Sequence, residues 1–513
     1  MREIVTKSLK LNKDLDRYVE QALEQGRPVK IGWGRAGDER PKDGEFGVMT
    51  HLPEGARVLC LGNLGACVGA ANRGGTLTLR GGAGSMFGAF HVSGKTVVEK
   101  DVGDKAGFEM IGGEISIQGS AGDEAGAAMS GGILLVRGHA GNHLGSGMSG
   151  GTALVMGSVG SEPGIGMSGG KIVISGSCPP PPDGVEMRSI NKSEISEFSK
   201  LLDPMGLSVN EDALVLETGA THSESFDSPD YFISEGFDNI SLYPNEDSLS
   251  DNAPLDHYTL LVQGGADSEG ALLKIPWIIS CETTIDQEKW KDVDSPAIVR
   301  TKSRKNDLLL IGRKEVSEVI DHVGNCSGII FDITDFPGLN DAEIEAMLTS
   351  LRSRMDSNSI IMLRGGIDRI ERVFRLVMDL ELDGAVVNCA TRSGSRLASS
   401  LPKIGLASKT MGISETGKFV MIEVMHEPDA KDLVIAVASG CTALVSPCPK
   451  GDLGAKIEEL GIDVRGWMRD VGVDRIERIG RRNLRANDFD TAAISGLRLV
   501  GYDRPLKMWL ELR

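Results

Sequence analysis

Residues 119–157 read GSAGDEAGAAMSGGILLVRGHAGNHLGSGMSGGTALVMG, two periods of a repeat that determines the fold of the first third of the chain. Glycines recur every 19 residues, and the same interval extends in both directions along the sequence. Three glycine columns are unbroken and one has a single gap, at Lys100; they lie at positions 65, 84, 103, 122, 141 and 160; 69, 88, 107, 126, 145 and 164; 75, 94, 113, 132, 151 and 170; and 62, 81, 119, 138, 157 and 176. Methionine repeats at 110, 129, 148 and 167. Such regularity predicts a repeat architecture.

Each period is a short strand with alternating apolar residues, followed by G-x-x-G-x-x-x-G and a turn of small residues. A period of this length is shorter than the roughly 30 residues of a strand–helix–strand unit, so it predicts a β-solenoid with coils about 4.8 Å apart. The glycines are interpreted as corners, which require positive φ or close backbone approach. They are not interpreted as phosphate loops, because no helix follows the motif. The methionines are predicted to fill the solenoid core.

The ends of the solenoid are predicted from the sequence on either side. Residues 14–26 have helical periodicity, with Asn12 or Asp14 as N-cap and Gly26 as C-cap, and this helix is expected to cover the first coil. The run Pro179–Pro182 ends the other side, because proline cannot donate to a strand ladder. The predicted domains are a helical cap at 1–54, the β-helix at 55–178, a proline-rich and acidic connector at 179–256, and an α/β barrel with C-terminal helices at 257–513.

Composition excludes several classes of partner. The net charge of −18 argues against nucleic acid, since phosphate backbones bind basic surfaces. No apolar run reaches the roughly 18 residues of a membrane span, so no membrane partner is expected. The eight cysteines are spaced singly without a CxxC pair, which argues against a zinc knuckle or a disulfide framework. Reduced thiols and the lack of a secretion signal favour a cytoplasmic protein.

Beyond residue 256 strands alternate with helices, which predicts a parallel (β/α)8-type barrel. The predicted strands are Trp277–Ser280, Leu308–Gly312, Gly328–Thr334, Ser359–Leu363, Gly384–Asn388, Phe419–Met425 and Cys441–Ser446. The predicted helices are Lys314–Val323, Asp341–Met355, Ile367–Leu380 and Asp429–Ala438, with another in the connector at Lys192–Leu202. Asn340 and Glu343 form a capping-box pattern.

The glycine coils resemble the GXGXG domain, the right-handed parallel β-helix of the glutamate synthase large subunit. Residues 84–90, GSMFGAF, are similar to its G-x-x-F-G-A-F sequence. The GxGMSGG units at 145–151 and 164–170 are similar to the β-helical subunit of formylmethanofuran dehydrogenase as well. In both families this β-helix is architectural, so the resemblance implies a role in assembly for residues 55–178.

The second half resembles the FMN-binding barrel of glutamate synthase, with the β-helix placed before the barrel instead of after it. The similar segments are 235–239 (EGFDN), 274–280 (KIPWIIS), 412–416 (GISET), 430–440 (AKDLVIAVASG) and 479–484 (IGRRNL). The resemblance implies an oxidoreductase of glutamate biosynthesis and nitrogen metabolism. It also implies FMN and an iron–sulfur cluster as cofactors.

The turns that hold those cofactors in the family are changed here. The turn expected at the FMN phosphate is HEPD at 426–429, whose two carboxylates would repel phosphate and whose proline lacks a donor. The segment 389–394, CATRSG, replaces a glycine-rich flavin segment, and its Arg392 is interpreted as a solvated surface residue. Only Cys441 and Cys448 stand near the cluster position, one thiolate short, so an iron–sulfur cluster is not expected. No catalytic residue, cofactor-binding residue or metal ligand is assigned.

Isolated residues give weaker hypotheses. Asp332 and Asp335 lie at the end of a predicted barrel strand, at the usual catalytic rim. The histidines have no partners at metal-ligand spacing, and those on the solenoid turns are interpreted as surface or stacking residues: His91, His139 and His143.

These observations favour a glutamate synthase-related protein with a degenerate flavin site. It would act as a structural or regulatory subunit beside an active oxidoreductase, with other subunits or a second copy of itself as partner. One alternative is an active FMN-dependent oxidoreductase of the glutamate synthase class. Another is a scaffold like the β-helical subunit of formylmethanofuran dehydrogenase, with an added barrel. The sequence leaves open whether the chain is an enzyme.

Overall fold

The computed structural model describes residues 2–34, 39–202, 206–219, 231–246, 249–250, 253–257, 259–260, 272–281, 290, 292–301, 303–413 and 415–502. The chain divides into two compact units. The first unit contains Met1–Phe226, Val316–Ile320 and Leu339–Arg354. The second contains Asp227–Glu315, Asp321–Gly338 and Met355–Arg513.

The first unit is built on a sheet of ten strands. They are β1 Val29–Ile31, β2 Arg57–Leu61, β3 Arg73–Arg80, β4 Ser93–Val98, β5 Glu114–Ile117, β6 Ser130–Val136, β7 Ser149–Val155, β8 Gly169–Ile174, β9 Val185–Ser189 and β10 Leu214–Thr218. Their order in the sheet is β1-β2-β3-β4-β5-β6-β7-β8-β10-β9. The pairs from β1 to β8 are parallel, and β10 pairs antiparallel with both β8 and β9.

The register of this sheet follows the 19-residue repeat. Each residue pairs with the residue one period later, as in Val58↔Leu77, Leu77↔Thr96 and Thr96↔Ile115. A second column of parallel bridges on another side of the coil has the same spacing, at positions 83, 102, 121, 140 and 159. The structure therefore shows a large, mainly parallel sheet with the predicted period, while the β-helix itself and its handedness stay predictions.

Glycine has two distinct roles in the coils. Gly126 has φ +68°, a left-handed conformation that favours glycine. Gly122 instead lies against the preceding coil, where a Cβ atom would come within 2.9 Å of the carbonyl carbon of Gly103. The repeated methionines are buried in the core between these corners: Met110, Met129, Met148 and Met167.

Two ladders of polar side chains connect successive coils. Asp104 Oδ1 accepts from the backbone N–H of Asp123 at 2.8 Å, and Asp123 Oδ1 accepts from that of Asn142 at 2.7 Å. The other ladder includes His139, whose Nδ1 accepts from the N–H of Ser158 at 2.9 Å. In each ladder a side chain satisfies the amide one coil later, so the rungs fix the register between coils.

His91, interpreted from the sequence as a surface or stacking residue, does not lie at the surface. It is fully buried, with Nδ1 3.0 Å from the carbonyl oxygen of Gly112 and Nε2 3.1 Å from Oγ1 of Thr96. His91 lies one 19-residue period before Met110, in the same column of residues that points into the core. This column therefore begins with polar residues and continues with methionines. Burial lowers the pKa of His91 below its ordinary value of 6.5, opposed by the hydrogen bond to Gly112.

We expect the free energy of unfolding to decrease as the pH falls through about 6.5, because the unfolded chain then binds a proton at His91 that the folded chain excludes. The substitution His91→Met extends the methionine column and should remove this part of the pH dependence. Urea unfolding of both proteins at about pH 7.5 and pH 5.5 measures it. Equal losses of stability in the two proteins would show that His91 is not responsible.

In its described part the first unit has three helices: α1 Glu3–Gln25, α2 Lys192–Leu202 and α3 Asp341–Arg352. Helix α1 is longer than predicted, because Asn12 does not cap it. The Asn12 side chain instead donates to the carbonyl of Gly47 at 2.7 Å and accepts from the N–H of Met49 at 3.1 Å. Gly26 ends the helix as expected, with φ +63°.

Helix α2 packs on the sheet, whereas helix α3 lies beside α1 and contacts turns of the repeat. Helix α2 coincides with its predicted range, and Phe198 and Leu202 contribute to a buried cluster with Leu135, Leu154 and other outward residues of the strands. Helix α3 has the predicted capping box of Asn340 and Glu343. Glu343 also receives Lys105 Nζ at 3.0 Å, a buried ion pair between the helix and a coil.

The second unit contains fifteen further strands in its described part, and eight of them close a barrel. Outside the barrel lie β11 Ile233–Glu235, β12 Ile240–Leu242, β13 Thr259–Leu260, β14 Leu272–Leu273, β21 Ser395–Arg396, β24 Leu484–Ala486 and β25 Arg498–Leu499. The barrel strands are β15 Trp277–Cys281, β16 Ala297–Val299, β17 Leu308–Ile311, β18 Gly328–Asp332, β19 Ile360–Gly366, β20 Gly384–Asn388, β22 Phe419–Glu423 and β23 Ala443–Pro447. They follow one another in this order around the barrel, and every pair is parallel. The predicted eight-stranded parallel barrel is confirmed.

The helices of the second unit are α4 Ile370–Asp379, α5 Leu397–Met411, α6 Ala430–Ala438, α7 Leu453–Val471 and α8 Phe489–Ser495. The predicted helix Lys314–Val323 is wrong, since these residues form turns and a short 3-10 helix at Val319–Asp321. Helix α5 was not predicted, because it contains Pro402. A complete (β/α)8 pattern stays a prediction. In the described part of the chain, no helix is both long and apolar enough to span a bilayer.

Candidate functional site

The carboxyl ends of the barrel strands carry a ring of mainly polar positions. One apolar residue from each strand packs in the barrel core: Ile278, Ile298, Leu310, Ile330, Met362, Val386, Met421 and Val445. Side chains alternate along a strand, so residues two positions later face the same interior, one layer nearer the carboxyl ends. These positions, here called the carboxyl-end ring, are Ser280, Arg300, Gly312, Asp332, Arg364, Asn388, Glu423 and Pro447. Barrel enzymes place their active sites at this end, so the ring is the candidate site.

Arg364 connects two carboxylates of the ring. Its Nε and Nη2 donate to the two oxygens of Glu423 at 2.7 and 2.9 Å, and its Nη1 donates to Oδ2 of Asp332. Thr334 donates its hydroxyl to Oδ1 of Asp332 at 2.6 Å. Burial disfavours the guanidinium charge, but the two carboxylates outweigh this and hold the pKa of Arg364 above its usual range. The Asp332–Arg364–Glu423 triad thus carries one cation against two anions, and the arginine is already bound to protein oxygens.

The second arginine of the ring is also paired. Arg300 Nη1 lies 3.3 Å from Oε2 of Glu315, and the same oxygen accepts from the N–H of Gly312 at 2.9 Å. Asp335 accepts from the N–H of Arg313 at 3.2 Å. The two aspartates predicted at this rim therefore have different partners: Asp332 joins the triad, whereas Asp335 binds the loop after β17.

The loop after β22, the seventh barrel strand, contains the predicted HEPD turn. Asp429 is the N-cap of α6 and accepts from the N–H of Asp432 at 2.8 Å, and Asp432 completes a capping box. His426 Nε2 lies 3.4 Å from Oδ2 of Asp432, and this hydrogen bond raises the pKa of His426 against partial burial. The amide groups that begin α6 therefore face carboxylates of the protein itself.

The loop after β23, the eighth strand, has the same arrangement. Asp452 is the N-cap of α7 and accepts from the N–H groups of Gly454 and Ala455 at 2.9 and 3.2 Å. Barrels that bind a phosphate-bearing cofactor usually hold it at the loops after strands seven and eight, on backbone N–H groups. In this chain an aspartate side chain already accepts from these N–H groups in each of the two loops. The two loops therefore do not fit the phosphate of FMN.

The loop after β20 is also engaged with protein. The N–H groups of Thr391 and Ser395 donate to the carbonyl oxygen of Phe232 at 3.2 and 3.3 Å. Arg392 is exposed and lies over the ring of Tyr231, 5.5 Å from its centroid, with Nε donating to the phenol oxygen at 3.0 Å. The N–H groups of Cys389, Ala390, Thr391 and Gly394 are therefore bound to protein oxygens, and the Arg392 side chain is held at Tyr231.

Among the described residues the cysteines and histidines do not gather into one site, although the thiols of Cys389 and Cys441 are close enough to interact. Cys441 is buried, which raises the pKa of its thiol to about 12, whereas Cys448 is half-buried. His143 pairs with Glu162 at 3.0 Å, and His257 lies 3.3 Å from a guanidinium nitrogen of Arg465. Within the described ranges no three His, Cys, Asp or Glu residues come together as a metal site would require.

Sequence reasoning missed Arg300, Arg364 and Glu423. Each is the first charged residue after a run of apolar residues, in AIVR, IIMLR and FVMIE. Because all strands of a parallel barrel end at one rim, that shared position would have predicted the three charges near each other.

Comparison with known proteins gives one family match and several distant structural likenesses. Residues 99–203 match the family described as GXGXG motif, which confirms the resemblance seen in the coils. A flavocytochrome b2 variant with sulfite bound is 14% identical, covering 49% of this chain and 76% of its own, with a TM-score of 0.37. The monotopic membrane protein (S)-mandelate dehydrogenase is 12% identical, covering 48% and 88%, with a TM-score of 0.33. No curated protein sequence matches.

Proposed function

We propose that this chain is a glutamate synthase-related protein that serves as a structural or regulatory subunit of an oxidoreductase assembly and does not bind FMN. The observation that carries the proposal is the pair of aspartate N-caps, Asp429 and Asp452, at the two helices where a barrel would hold a cofactor phosphate. Each aspartate both occupies the amide donors and adds a negative charge. The Asp332–Arg364–Glu423 triad supports the same conclusion, because the guanidinium of Arg364 is already bound to a carboxylate on each side.

The architecture we propose is a right-handed GXGXG β-helix at 55–178 and a (β/α)8-type barrel at 257–513, with a cap at 1–54 and a connector at 179–256. The parallel 19-residue register and the family match at residues 99–203 support the β-helix. Its proposed role is assembly, with other subunits or a second copy of the chain. The eight free cysteines suit a reducing compartment, and we propose the cytoplasm.

The proposal predicts that the purified full-length chain has no flavin absorption and that added FMN keeps its full fluorescence when titrated with the protein. The double variant Asp429→Asn/Asp452→Asn is the matched test, because asparagine retains the N-caps while removing both charges. The variant should remain free of flavin if the engaged amides exclude phosphate. A stoichiometric flavin spectrum in the unmodified chain would contradict the proposal and support the alternative of an active FMN-dependent oxidoreductase.

A further inference from the structure

A small sheet in the second unit has one buried face and one exposed face. Strands β12, β24 and β25 form it, and its inner side carries Ile240, Leu484 and Ala486, all fully or almost fully buried. On the outer side Arg485 is the Cα partner of Ser241 on one neighbouring strand and of Arg498 on the other. Two arginines therefore stand side by side on the exposed face of adjacent strands.

The guanidinium of Arg485 is held in place by the protein. It lies over the ring of Tyr243, 4.5 Å from the centroid, and Nη1 donates to the carbonyl oxygens of Arg482 and Leu484 at 2.6 and 2.9 Å. A stacked guanidinium loses little freedom on binding, and Nε and Nη2 of Arg485 form no hydrogen bond within the described part of the chain. Arg482, in the turn before β24, is exposed and extends the same surface.

The arginines of this sheet differ from other arginines of the chain in their surroundings. In the part of the chain that the structure describes, Arg482, Arg485 and Arg498 form no ion pair, whereas nearby Arg478 pairs with Asp474 at 2.7 Å. The whole chain has 73 acidic and 55 basic residues, so this cluster of arginines is opposite in sign to the net charge of the chain. Like charges directly opposite each other on paired strands also destabilise a sheet. The folded chain therefore maintains a positive surface at a cost in stability.

The character of the surrounding surface indicates the kind of partner. Tyr243 and Val500 are about half exposed, at 51% and 49%, beside the arginines. Exposed arginine and tyrosine together are typical of protein–protein interfaces, where they contribute most of the binding energy. The surface is an open sheet face, unlike the backbone cradles that hold small phosphates.

We propose that the arginine face, defined as Arg482, Arg485 and Arg498 with Tyr243, docks a carboxylate-rich segment of a partner protein. Guanidinium groups match carboxylates in geometry, and the partner's acidic side chains would supply negative charge opposite the three arginines. The inference concerns a surface outside the carboxyl-end ring, so it does not depend on whether the barrel binds flavin.

A fluorescently labelled peptide of ten glutamates is the probe, titrated with the full chain and followed by fluorescence anisotropy at low salt. We expect binding that weakens with added salt, and a loss of affinity of about tenfold or more in Arg485→Gln/Arg498→Gln. Arg478→Gln is the control, because it removes an exposed arginine that already has a partner, and it should bind as the unmodified chain does. The milder Arg485→Lys keeps the charge but loses the stack, and should show an intermediate loss.

Circular dichroism and melting curves establish whether each variant is folded. If the double variant is unfolded, the peptide affinity of Arg485→Lys decides the test instead. The proposal would be overturned by a lack of binding of the peptide to the unmodified chain, or by equal binding of the peptide to the double variant. Displacement of the peptide by inorganic phosphate as effectively as by free decaglutamate would also overturn it, since this would indicate a small-anion site.

Discussion

Replacing Gly145 by valine should lower the free energy of unfolding of the first unit by about 4 kcal/mol. Gly145 has φ +66°, a conformation that a β-branched residue adopts only under strain. It also faces the core, where a Cβ atom would lie 2.6 Å from Cδ1 of Ile172 and 3.6 Å from Sδ of Met148. Two costs therefore add at one position: backbone strain and overpacking of a buried column.

Gly147 offers a matched control two residues away. Its φ is +63°, almost the same as that of Gly145, but nothing lies within 4 Å of the Cβ position. Gly147→Val should therefore show only the backbone strain, about 1–2 kcal/mol. Guanidinium unfolding followed by circular dichroism gives both values, and hydrogen exchange locates the weakened coils. Equal losses at the two positions would mean that the glycine column is set by backbone conformation alone, without a packing requirement.

The second large effect is expected at the centre of the barrel rim. Arg364→Met should destabilise the second unit by about 3–5 kcal/mol, because it leaves two buried carboxylates without their cation. The side chains concerned are mostly enclosed, with exposures of 16% for Arg364, 2% for Asp332 and 16% for Glu423. Tryptophan fluorescence during urea unfolding measures the loss, since Trp277 and Trp290 are buried in this unit.

A triple variant distinguishes the ion triad from simple loss of packing. In Asp332→Asn/Arg364→Met/Glu423→Gln all three charges are removed, so no unpaired charge remains, and most of the lost stability should return. If the triple variant is as unstable as Arg364→Met, the contribution of Arg364 comes from the packing of its side chain and not from neutralising the carboxylates.

The repeat was predictable because each coil imposes the same backbone geometry on the same position of the sequence, which leaves a visible column of glycine. The barrel was predictable from the alternation of its elements, except where an element was unusually short or contained proline. Strand β16 has only three residues, Ala297–Val299, and gives too weak a pattern to be recognised. Pro402 hid helix α5 in the same way.

The candidate site was less predictable, because its contacts join residues distant in sequence. Asp332 and the HEPD turn were identified from their positions, but Arg364 and Glu423 lie 59 residues apart and their bond depends on the closure of the barrel. His91 shows the opposite error. A histidine on a turn was interpreted as a surface or stacking residue, but His91 is buried, where it and Asn72 both hydrogen-bond to the hydroxyl of Thr96.

The polar ladders of the first unit limit how this protein can change in length. Each rung joins a side chain to the amide 19 positions later, as from Asp104 to Asp123 and from Asp123 to Asn142. An insertion of a few residues within a coil would shift one partner out of reach and leave both ladders interrupted. Growth or shortening of this repeat is therefore expected in whole periods, and duplication of a complete 19-residue unit is the change that its register tolerates best.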